Sequence, residues 1–85
     1  MTRRVEVTER HLRTLWGYCL PETGRIVIAR GISERDRLGT LVHELLHVGL
    51  PATTEDEIDR LTAILARVLW RQGYRRRAKD SSQGS

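Results

Sequence analysis

Apolar and polar positions change their period along the chain, and each change marks an element. "RRVEV" at 3–7 is a short run with β-branched residues and reads as a strand. "TERHLRTLW" at 8–16 opens on Thr8, a residue suited to an N-cap, and places His11 and Leu15 four apart. That spacing predicts a short helix. Two β-rich runs, "WGYCL" and "RIVIA", then flank Pro21 and Gly24, which predicts a hairpin. Ile26 and Ile28 should project to one side of its second strand and Val27 to the other, with Gly31 ending it.

From Ser33 the period lengthens to that of a helix. "SERD" supplies an N-cap serine with an acidic residue three positions later. The helix it opens carries Leu38, Leu41, Val42, Leu45, Leu46 and Val48 at three- and four-residue intervals, and Gly49 and Pro51 stop it. "TTEDE" restarts a helix, with Thr54 and Glu57 matching a capping box. Its stripe is Ile58, Leu61, Ile64, Leu65, Val68 and Leu69, and Gly73 closes it. The predicted class is α+β: a small antiparallel sheet built on a hairpin, then two helices joined by a tight turn. Residues 1–73 are expected to form one domain, and "YRRRAKDSSQGS" at 74–85 a basic, polar, disordered tail.

Composition narrows the possibilities. With 85 residues there is room for one small core and none for a separate specificity domain. Phe is absent, so the core must come from Leu, Ile, Val and Ala, with Trp16 and Trp70 in the core or at its rim. The net charge is +4, and Arg71, Arg75, Arg76, Arg77 and Lys79 crowd the last fifteen residues. Such a tail could attract nucleic acid or an acidic partner, but no nucleic-acid-binding motif accompanies it, and a solvated tail is the simpler reading. One cysteine excludes an internal disulfide, and Cys19 in the hairpin reads as a small buried side chain. No apolar run is long enough for a signal h-region or a membrane span, so a cytoplasmic protein without a membrane partner is expected.

The chemistry concentrates in "LVHELLHVGL" at 41–50. Four residues turn an α-helix by about 400°, so His43 and His47 leave one face one turn apart. Two imidazoles in that relation can bind one zinc ion. Glu44 stands roughly 100° round the helix. There it is badly placed as a third ligand and well placed to touch a water on the metal. The chain has three histidines and two of them are here. Leu45 and Leu46 fill the free positions and are expected to bury the side of the helix away from the ligands. An ordinary amphipathic helix is the competing reading.

A catalytic zinc site usually has three protein ligands. His11 is one candidate for the third, and the acidic cluster "EDEID" at 55–59 supplies others. A short helical hairpin sets the first turn of its second helix against the last turn of its first. Glu57 is engaged by the capping box and Asp56 should face solvent. Glu55 shares a face with Ile58, Asp59 and Thr62 and is preferred, with Glu57 the alternative. Asp59, one turn further on, could accept a hydrogen bond from a ligand histidine.

"HELLH" followed by Glu55, Ile58, Asp59, Leu61 and Thr62 resembles the gluzincin zinc peptidases. The resemblance is closer to the ImmA/IrrE family, with its second motif E-x-x-A-N/D-x-F-A, and to the small minigluzincins and other short phage and bacterial HExxH proteins. It covers residues 16–69 and implies a minimal zincin-like fold. Ile58 and Leu61 stand where the family more often has Ala and Phe. The resemblance implies that His43, His47 and Glu55 bind Zn2+, that Glu44 is the general base and acid, and that Asp59 orients a histidine. "GRIVIARGIS" resembles the edge strand along which a substrate peptide lies, around Arg25 to Ala29. Tyr18 and Tyr74 are weaker candidates to face an oxyanion. A zinc metallopeptidase acting on a peptide or protein is thus the leading expectation. A non-catalytic zinc-stabilised module that binds protein or nucleic acid is the alternative.

Overall fold

The structure, a computed structural model, describes residues 4–76. Three strands, β1 (Glu6–Arg10), β2 (Gly17–Leu20) and β3 (Arg25–Ala29), precede two helices, α1 (Glu34–Gly49) and α2 (Glu55–Arg71). The α+β class and the order of sheet before helices are as expected. Most of the tail expected at 74–85 lies outside the described residues.

The sheet is ordered β1-β3-β2. The hairpin forms as expected, with β2 antiparallel to β3 and Tyr18 opposite Val27. β1 pairs parallel to β3, with Val7 opposite Ile26, so the sheet is mixed rather than wholly antiparallel. The helix expected at 8–16 does not form. Thr8 to Arg10 extend β1 instead, and the Arg30 N–H donates to the Arg10 carbonyl at 2.8 Å. A parallel partner gives these residues a full ladder, which outweighs a weak local helical pattern.

β3 lies between the other two strands. Ile26 to Ala29 are all buried: β3 is paired along both edges, and Ile26 and Ile28 pack against α1 on one face. Ile26, Ile28 and Val48 form the core, with Cys19, Ile32 and Leu41 packed against them. Each fully buried isoleucine contributes roughly 1.5–3 kcal/mol. Ser33 caps α1 by accepting from the Asp36 N–H at 3.1 Å, and Thr54 caps α2 by accepting from the Glu57 N–H at 3.3 Å. The capping box at Thr54 is only half made, because the Glu57 carboxylate pairs with Arg60. Gly73, at φ 86, takes the left-handed conformation just beyond α2.

α2 packs on α1 and touches no strand. Only Ile58 of its stripe is fully buried, and Ile64, Leu65 and Val68 remain exposed. Leu45 of α1 is also exposed at 39%, contrary to the expectation that it buries the side away from the histidines. A three-stranded sheet is too narrow to cover every apolar row of two helices. The start of the tail is held: the Arg75 guanidinium sits 3.4 Å from the Trp70 ring centroid. Arg76 reaches Glu34 at 2.7 Å and Glu9 at 2.9 Å, tying the chain beyond α2 to α1 and β1.

Candidate metal centre

The turn at 50–54 folds α2 back along α1, and the first turn of α2 meets the histidine face of α1. His43 Nε2 and His47 Nε2 are 3.2 Å apart. His43 Nε2 lies 3.2 Å from Glu55 Oε2, and His47 Nε2 lies 3.2 Å from Glu55 Oε1. Two donors each about 2.05 Å from one ion, at a tetrahedral angle, stand about 3.3 Å apart. The donor set therefore fits a single small cation. With one ligand atom from each residue, the group spans no more than 4.8 Å. Two imidazoles and one carboxylate are donors that suit zinc.

The rings leave their outer nitrogens for other work. His43 Nδ1 is 3.5 Å from Asp59 Oδ1. A carboxylate there favours the proton on Nδ1 and leaves the Nε2 lone pair facing the other donors. Among the described residues His11 is no part of this group, and Glu57 is turned toward Arg60, so of the candidates for the third position Glu55 is the one brought in.

Glu44 faces elsewhere, as its offset of about 100° requires. It is 9% exposed and lies in the wall shared by two clefts. One, of about 500 Å³, is lined by Trp16, Arg35, Thr40, His43 and Arg67 among others. Its neighbour, of about 400 Å³, is lined by Leu15, Tyr18, Cys19, Pro21, His47 and Pro51. Gly17 belongs to both walls. The two clefts therefore adjoin at Glu44 and at the start of β2.

No protein-family model, curated protein or solved structure matches this chain. The reading of the site therefore rests on its own geometry.

The strand that borders the site is β2, not β3. The expected substrate lane at Arg25 to Ala29 is closed, because β3 is paired on both sides. β2 is the free edge on the site's side. The Ala29 N–H donates to the Trp16 carbonyl at 2.7 Å, which fixes the alternation of the ladder. Trp16 and Tyr18 then bond inward to β3, and the N–H and C=O of Gly17 and Cys19 point outward. Four consecutive apolar residues, Ile26 to Ala29, were the signal in the sequence that β3 is central.

Cys19 does more than fill space. It is half-buried and contacts Glu44, and burial followed by its hydrogen bond to the Glu44 carboxylate pushes the thiol up to about 11. Cys19 and Glu44 line the same cleft. Period-two alternation places Cys19 on the face of Gly17, toward the helices, and that alternation was readable from sequence. Trp16 is at the rim, 57% exposed, and Tyr18 lines the second cleft. Tyr74 is exposed and lines neither cleft.

Proposed function

We propose that this chain is a zinc-dependent metallopeptidase of the gluzincin kind, resembling the ImmA/IrrE-like and minigluzincin proteins in its motifs. The observation that carries the proposal is the 3.2 Å triangle of His43, His47 and Glu55 beside a buried carboxylate, Glu44, at the junction of two clefts. A zinc ion bound there supplies a Lewis acid that activates a water and polarises a peptide carbonyl. Asp59 holds the His43 ring in the tautomer that presents Nε2. Glu44 accepts a proton from the attacking water and delivers it to the leaving amine. Gly17 and Cys19 offer outward N–H and C=O groups to an extended peptide, which adds as a fourth strand on β2. A cytoplasmic setting belongs to the same proposal; among the described residues no helix is long and apolar enough to cross a membrane.

A second reading has one observation in its favour. The three donors come from α1 and α2 alone, and α2 touches no strand, so an ion would clamp the helix pair as a structural metal does. That reading makes the chain a zinc-stabilised binding module. Glu44→Gln separates the two. The variant should keep its zinc and lose hydrolysis of peptides that the wild type cleaves. Undiminished cleavage by Glu44→Gln removes Glu44 from the mechanism, and absence of cleavage by any zinc-loaded wild type favours the module.

A further inference from the structure

The two clefts that meet at Glu44 differ in chemistry. Arg35 projects into the larger one from α1 and Arg67 from α2, so the cations come from both helices that form its walls. Neither arginine joins an ion pair among the described residues, whereas Arg25, Arg37, Arg60 and Arg76 all do. Arg35 also lies 5.9 Å from the Trp70 ring centroid, at the outer edge of a cation–π contact. Two carboxylates, Asp36 and Glu44, line this cleft as well, but neither pairs with Arg35 or Arg67. The smaller cleft is walled by Leu15, Tyr18, Cys19, Pro21 and Pro51, with no arginine or lysine.

Resting on the peptidase reading, we infer that Arg35 and Arg67 form a carboxylate-binding subsite, and that the substrate places a carboxylate there and an apolar side chain in the neighbouring cleft. Guanidinium groups bind carboxylates through paired N–H donors, and Arg35 and Arg67 line one cleft without an ion pair of their own among the described residues. β2 runs from the arginine cleft at Gly17 toward the apolar cleft at Pro21. A peptide added antiparallel to β2 therefore brings the residue after the cleaved bond to the arginines and the residue before it to the apolar cleft. The carboxylate is an Asp or Glu side chain or the C-terminus of a short peptide.

The test is binding of fluorescein-labelled peptides to the full chain carrying Glu44→Gln and loaded with zinc, so that no turnover intervenes. The probes are Ala-Ala-Leu-Glu-Ala-Ala and its Gln and Lys counterparts, each with a free or an amidated C-terminus. The Glu peptide should bind about tenfold more tightly than the Gln peptide, the scale of one partly solvated charged hydrogen-bonding pair. Arg35→Ala with Arg67→Ala should bring that ratio close to one, and Arg67→Glu should shift preference toward the Lys peptide. A preference abolished by amidation instead assigns the subsite to a chain terminus. Equal binding of Glu and Gln peptides with both termini, an undiminished preference in the double variant, or no binding of any probe overturns the subsite. Wild-type cleavage is read in parallel. Preference without cleavage leaves the subsite standing and removes the peptidase reading, and cleavage without preference removes the subsite alone.

Discussion

Gly17 is where the edge strand β2 rests on α1, and replacing it with alanine tests that packing. A β-carbon there would stand 2.6 Å from the Thr40 methyl carbon and 2.9 Å from the Val27 carbonyl oxygen. Ordinary carbon–carbon contact is about 3.5–4.0 Å, so the first clash is about 1 Å deep. Neither neighbour yields easily. Thr40 is 9% exposed and its hydroxyl donates to the Asp36 carbonyl at 2.8 Å, so turning the side chain sacrifices a bond. Val27 is in the central strand, held on both sides. Overpacking of this kind costs about 2 kcal/mol. In a domain this small that lowers Tm by roughly 8–16 °C. Gly39 is the contrasting case: it lies inside α1, and a β-carbon there meets nothing within 4 Å. Gly39→Ala should stabilise by about 0.5–1 kcal/mol. Thermal unfolding followed by circular dichroism, with and without zinc, reads both. If Gly17→Ala melts with the wild type, β2 does not sit on Thr40 as described.

Cys19 should resist alkylation. At pH 9 its thiolate fraction, set by a value of about 11 against the ordinary 9.0, should make iodoacetamide labelling roughly fiftyfold slower than in the urea-unfolded chain; equal rates would refute the buried, protonated thiol. The sign for stability follows from the same displacement: below pH 9 the protonated thiol costs the fold nothing, and stability falls as pH rises from about 9 toward 11. Glu9 is held below its ordinary 4.5 chiefly by the Arg37 hydrogen bond, and Glu34 chiefly by that of Arg76. Their contribution is complete above pH 4.5 and is lost as pH falls through the lowered folded values. Arg76→Gln should therefore flatten the acid limb of a urea-unfolding series, and an unchanged slope would show that the clasp is absent in solution.

How much was legible in the sequence depends on how local each signal is. The hairpin, both helices and their caps follow from period, turn residues and cap chemistry, all carried within a few positions. The meeting of His43, His47 and Glu55 was legible for the same reason: helix pitch puts the two histidines on one face, and a short turn brings the acidic first turn of α2 against them, with Glu55 preferred over Glu57. What the sequence hid was lateral order. β1 lies beside β3, although β2 comes between them in the chain, and nothing within "RRVEVTER" names its partner. That choice left β2 with a free edge and closed the edge of β3 that the sequence suggested as a substrate lane. The thin core was hidden too, because a helical stripe such as Ile64, Leu65 and Val68 looks the same whether or not anything covers it.

The central claim is that His43, His47 and Glu55 together hold one zinc ion. Metal content of the purified chain, by native mass spectrometry, tests it most directly when wild type and Glu55→Ala are compared. The account predicts one zinc per wild-type chain and a sharp loss in the variant. Wild type that takes up no zinc when it is supplied, or Glu55→Ala that retains it fully, contradicts the account.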